Sequence, residues 1–128
     1  MVSLVFVSRN SPANVGVADG VGAWNMKENG RPGLWARVLM HYWALECEER
    51  MKLWKVNRST IPSSSTTAPS VGFNLFGNEE KIDVVAMLQR AYLRTVCTME
   101  NSGGWVGSTT ACVALLQRST LHIANVSI

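Results

Sequence analysis

Val2 to Val7 is a run of β-branched and aromatic residues and predicts a strand. Ser8 to Asn14, with Asn10, Ser11 and Pro12, predicts a turn, and Val15 to Asp19 a returning strand. Both strands are nearly continuously apolar, which suits a sheet covered on both faces. Asn25 to Arg31 is polar, holds the pair Asn29-Gly30 and predicts a loop. Pro32 then stands where a helix can begin, because the amide hydrogen it lacks is not needed in a first turn. From there Leu34, Trp35, Val38, Leu39, Tyr42 and Leu45 recur at helical spacing, with Arg37, Glu48 and Glu49 elsewhere. The pattern predicts a helix to about Trp54.

Asn57 to Ser70 is rich in serine and threonine, contains Pro62 and Pro69, and has no hydrophobic period; it predicts a solvated polar insertion. Glu79 and Glu80 precede Ile82, Val85, Leu88, Tyr92 and Val96, a second amphipathic helix with an acidic first turn that suits the helix dipole. The two helices are expected in one outer layer. Asn101 to Gly107 is glycine-rich, but it lacks a following G-K-[ST] and leads into a strand, so it is no nucleotide cradle. Thr109 to Leu116 and Thr120 to Val126 predict a hairpin about Gln117-Arg118-Ser119. The succession predicts a single α+β domain, part of an antiparallel sandwich flanked by helices.

Composition narrows the function classes. Hydrophobic residues make up 47% and charged residues 16%, enough to build a core. The net charge of +3 is carried by scattered lysines and arginines, so neither a nucleic-acid arm nor a polybasic membrane patch is predicted. Cys47, Cys97 and Cys112 have no C-x-x-C spacing and indicate neither a disulfide framework nor a zinc site. An intracellular, reducing setting follows. No basic region precedes the first apolar run, as a signal peptide requires, and no stretch approaches a membrane span. His41 lies among apolar positions and, without a partner carboxylate at a suitable spacing, reads as a packed or partly exposed neutral histidine rather than a catalytic one.

Candidate chemistry gathers in Gly16-Val17-Ala18-Asp19-Gly20-Val21-Gly22-Ala23-Trp24. An apolar strand delivers one carboxylate into a turn that Val21 and Gly22 shape. A glycine after the carboxylate allows positive φ and a close backbone approach, so the Gly20 carbonyl is a candidate second oxygen ligand beside Asp19. Hard cations such as Mg2+ or Mn2+ take such oxygens.

This stretch resembles the metal-binding motif of the type 2C metal-dependent serine/threonine protein phosphatases, in the branch that reads A-D-G-V-G-G-W. Gly30-Arg31-Pro32-Gly33-Leu34-Trp35-Ala36-Arg37-Val38-Leu39-Met40 resembles that branch's first-helix entry, and Gly107-Ser108-Thr109-Thr110-Ala111-Cys112 its G-S-[ST]-T-A strand. The resemblance implies a sandwich whose two sheets hold two divalent metals, Mg2+ or Mn2+, bridged by a water that attacks the phosphorus of phosphoserine or phosphothreonine proteins. It assigns Asp19 and the Gly20 carbonyl to metal. The resembled branch is often mitochondrial or chloroplast, although no transit peptide is seen here.

Counting acids limits what this chain does with that motif. Asp19 and Asp83 are the only aspartates. Two hard cations bring about four positive charges, which one bridging carboxylate does not hold. The family has an acidic pair where Val2-Ser3-Leu4-Val5-Phe6-Val7 stands, with Ser3 in place of an aspartate, and a G-D-S segment where Ala124-Asn125 is followed by Val126-Ser127-Ile128. Ala23 replaces a family glycine, and Val21 stands where other branches carry a histidine. The expectation is a partial phosphatase domain without a complete site. It is read either as part of a longer enzyme or as a non-catalytic interaction protein that meets a partner at exposed sheet edges. An unrelated small α+β binding domain with a merely structural D-G-V-G turn is the remaining reading.

Overall fold

The computed structural model describes the backbone of residues 3–8, 13–59 and 81–127, with side chains over 13–53 and 81–127. Four strands, β1 (Ser3–Ser8), β2 (Ala13–Gly20), β3 (Thr109–Gln117) and β4 (Thr120–Ser127), form one antiparallel sheet in that order. Two helices, α1 (Pro32–Ser59) and α2 (Val84–Asn101), lie between β2 and β3 in the chain. The α+β class and the antiparallel sheet agree with the sequence pattern.

Alternation along the strands decides which face is buried. On β2, Asn14, Gly16, Ala18 and Gly20 point inward; Ala111, Val113 and Leu115 of β3 and Ala124 of β4 continue that face. Ala36, Leu39, Met40, Trp43 and Cys47 of α1 pack on it, joined by Val84, Met87, Leu88 and Ala91 of α2. The small residues set the spacing: a Cβ on Gly16 would stand 2.8 Å from the Met40 sulfur. The opposite face carries Val15, Val17, Cys112, Leu116, Leu121 and Ile123, all exposed. Continuous apolar strands predicted cover on both faces; among the described residues the helices cover one.

The helix phases differ from the predicted ones. Trp35 and Leu39 face the core as expected, but Leu34 is exposed and Val38, Tyr42 and Leu45 are half-buried, while Met40, Trp43 and Cys47 complete the stripe. The reason is that α1 serves two neighbours. Its Tyr42 hydroxyl turns to α2 and hydrogen-bonds the Thr98 hydroxyl, so a single apolar stripe averages two contact faces. The helix also continues beyond Trp54, through Asn57 to Ser59; the rest of the polar insertion, with Glu79 and Glu80, lies outside the described residues. α2 starts at Val84 because the Asp83 carboxylate accepts the Ala86 amide at 3.0 Å, a cap of the usual kind. Its first turn is therefore not acidic, and Val84 rather than Val85 turns inward. A 3-10 turn, Gly22–Met26, follows β2 and runs into the start of the predicted loop Asn25 to Arg31. His41 is exposed on α1.

The helices are joined by charge as well as packing. Glu46 of α1 is buried and accepts from Arg90 Nε at 2.8 Å and Arg94 Nη1 at 3.4 Å. The Arg94 guanidinium also lies 4.7 Å from the centre of the Tyr42 ring. Beside Glu46, the Cys47 thiol is pushed from 9.0 to about 12, first by burial and then by the Glu46 charge, both of which oppose a thiolate. The unfolded chain loses that proton near its ordinary value while the folded chain keeps it, so stability falls as pH rises above about 9. Comparing the urea stability of wild type and Cys47→Ala from pH 8 to pH 10.5 isolates the effect. Wild type is expected to lose more per pH unit, by up to about 1.4 kcal/mol, although the variant is less stable at neutral pH. Equal slopes would remove the buried thiol from this account.

Candidate metal-binding end of the sheet

β2 carries Asp19 to the end of the sheet and, by alternation, onto the face away from the helices. The register places Ser3 of β1 directly opposite Asp19, Thr110 opposite it on β3, and Ser127 of β4 opposite Thr110. One row across four strands thus holds a carboxylate among three hydroxyl residues. Ser3, the position at which the resemblance expects an aspartate, is Asp19's immediate cross-strand neighbour. Asp19 Oδ1 is buried and has no hydrogen-bond partner among the described residues. A carboxylate oxygen withdrawn from water without a donor is costly, and a cation relieves it.

The backbone around the carboxylate is tied down. Thr109 Oγ1 donates to the Asp19 carbonyl at 2.9 Å, and the Val21 amide donates to the Ser108 carbonyl at 2.9 Å. The Thr109 contact was not legible in the G-S-T-T-A block, because it depends on the register between β2 and β3. Gly20 is extended rather than left-handed, which departs from the expectation of positive φ. Its need for glycine comes from α1: a Cβ there would lie 2.4 Å from the Pro32 carbonyl oxygen. Val21 is exposed and precedes the 3-10 turn, and a Cβ on Gly22 would meet nothing within 4 Å.

Loops complete this end. Gly30 sits so close beneath the Trp24 carbonyl that a Cβ would fall 1.7 Å from its oxygen. The Arg31 amide donates to the Val106 carbonyl at 2.8 Å, and Trp35 Nε1 donates to the Trp105 carbonyl at 3.1 Å, joining the glycine-rich loop to the start of α1. Lys27 lies over Trp24 at 4.1 Å and Arg31 over Trp105 at 5.1 Å. Trp35 is buried in the core, while Trp24 and Trp105 are half-buried at the rim.

Asp83 caps α2 and Glu46 bridges the helices. Among the described residues no group of three or more histidines, cysteines, aspartates or glutamates is placed to hold a metal ion. The residues present fit one carboxylate ligand of a hard cation and do not fit a two-metal centre. No described helix is long and apolar enough to cross a membrane. Comparison with known proteins finds no family model that matches the chain and no matching curated protein.

The two glycines of the motif are expected to respond differently. Gly20→Ala drives a methyl group into the α1 backbone and costs about 1–3 kcal/mol, whereas Gly22→Ala changes stability by no more than about 0.5 kcal/mol. Urea titrations of both variants check this. Equal losses would mean that α1 does not rest on Gly20.

Proposed function

We propose that this chain contributes one metal-binding carboxylate, Asp19, to a metal-dependent protein-serine/threonine phosphatase centre, and that further acidic ligands complete the centre from outside its described residues. The observation that carries the reading is the buried Asp19 Oδ1, without a hydrogen-bond partner among the described residues, at a sheet end directly across from Ser3. Three sequence blocks support it, since those that resemble the type 2C phosphatases come together here. They are the end of β2, the start of α1 and the start of β3.

Mg2+ or Mn2+, when bound, supplies charge neutralisation at phosphoryl oxygens and lowers the pKa of water. In this chain Asp19 and the Gly20 carbonyl would be its ligands. Thr109 holds the backbone of Asp19 in place, and Gly20 lets α1 close against it. The substrates under this reading are phosphoserine and phosphothreonine proteins. An intracellular setting, in mitochondria or chloroplasts under the resemblance, belongs to the same proposal.

A second reading, a non-catalytic interaction protein built on the same fold, draws on the exposed apolar face that Val15, Val17, Leu116, Leu121 and Ile123 form. The two readings separate on the row of residues at the sheet end. Paired positions on antiparallel strands bring Cβ atoms within about 5.5 Å, a span that two carboxylates share around one cation. Ser3→Asp is therefore expected to tighten Mn2+ binding by about tenfold, equivalent to about 1.4 kcal/mol. The effect would be seen by calorimetry and as a larger Mn2+-dependent rise in Tm, and Asp19→Asn in the same background should remove it. Wild type is expected to hydrolyse no phosphopeptide with Mn2+ alone. Turnover abolished by Asp19→Ala would show that the site is already complete. No gain from Ser3→Asp would favour the interaction reading.

A further inference from the structure

β4 lies at the edge of the sheet. It follows β3 through a two-residue turn, Arg118-Ser119, with Arg118 at φ 53°. In such a hairpin the flanking pair, Gln117 and Thr120, exchanges hydrogen bonds, and the pattern alternates from there. His122, Ala124 and Val126 therefore bond inward to β3. The amides and carbonyls of Leu121, Ile123 and Asn125 point outward along the edge, and no described strand pairs with them.

A groove runs beside that edge on the helix side. It has a volume of about 410 Å3, with Val85, Leu88, Gln89 and Tyr92 of α2 on one wall and Ile123 to Val126 of β4 on the other. A second space of about 450 Å3 shares Val85 and Ile123 and continues towards Lys81 and His122. Val85, on the α2 wall, is 55% exposed, and Ala124 and Val126 are the β4 residues that alternation turns to this side, whereas Ile123 borders the groove from the edge. Among the described residues, none that lines the first groove is charged.

We propose that the β4 edge and this groove form a docking site for an extended strand of a partner polypeptide, with large aliphatic or aromatic side chains at alternate positions. The outward backbone groups call for a strand, and the period of two sends every second side chain into the groove. The side chains of Val85, Leu88, Tyr92, Ala124 and Val126 favour apolar groups there. A second copy of β4 is a poor occupant, because on the helix side it offers only Ala124 and Val126 beside His122. The site stands apart from the metal reading and acts without it.

The probe is a short, end-blocked peptide alternating leucine and threonine, added to the full chain in the presence of a chelator, so that failure here leaves the metal proposal untouched. Saturating peptide should slow amide exchange at Leu121, Ile123 and Asn125 by about tenfold. N-methylating the leucine amides blocks one edge of the peptide and N-methylating the threonine amides the other. Just one of the two modified peptides should lose binding. Val85→Glu, at an exposed position, should weaken the parent peptide about tenfold by setting a charge in the groove mouth. Absence of binding, equal binding of both methylated peptides, or protection of these amides by raised protein concentration alone would overturn the proposal, the last in favour of self-pairing.

Discussion

The first turn of α1 rests on the backbone of Gly20, so closely that the Pro32 carbonyl occupies the space a side chain would need. Much of the structure depends on that approach. It fixes where α1 crosses the sheet, and Gly16, Ala18 and Ala111 then let Met40 and Trp43 settle against β2 and β3. The same contact holds the loops around Trp24 and Trp105, through the bond from Trp35 Nε1 and that from the Arg31 amide. With α1 placed, α2 follows, drawn by the buried Glu46 and its two arginines. That bridge specifies geometry more than stability. Both arginines are partly exposed and retain hydration, so replacing Glu46 would not strand a buried cation.

A sheet with helices on one face has an obligation on the other. Here that face is apolar, with Leu121 and Ile123 more than half exposed, and it ends in Asp19. In the proposed phosphatase reading a second sheet would cover the apolar residues and bring carboxylates toward the single acid. The open face and the solitary carboxylate then have one explanation: both are halves of contacts whose other halves come from elsewhere. The β4 edge is a separate matter, since strand addition there extends the sheet sideways and leaves the face as it is.

Much of the fold was legible in the chain. Strand residues announced themselves by β-branching, Pro32 marked the start of α1 where it lies, and the hairpin closed within a residue or two of its predicted ends. Helix phase was less legible, because a helix that touches both a sheet and another helix has no single stripe; Trp43 and Cys47 were missed for that reason. The start of α2 depended on Asp83, whose capping role outweighed the acidic pair before it. At the candidate site, Asp19 stood out as a carboxylate ending an apolar strand. Its pairing with Ser3 and the support from Thr109 did not, because both depend on register between segments far apart in the chain. Gly20 was singled out for a reason the backbone does not bear out, since packing, not left-handed conformation, demands it.

In the proposed reading, the sheet end at Asp19 is where this chain gathers a divalent cation. Paramagnetic broadening of backbone amide signals during an Mn2+ titration tests it most directly, because the effect falls steeply with distance from the ion. The account predicts that Asp19, Gly20, Val21 and Thr110 broaden first, and that Asp19→Asn abolishes the preference. Broadening that begins at the exposed Glu48 and Glu49 of α1, or that spreads with no order along the chain, would contradict it.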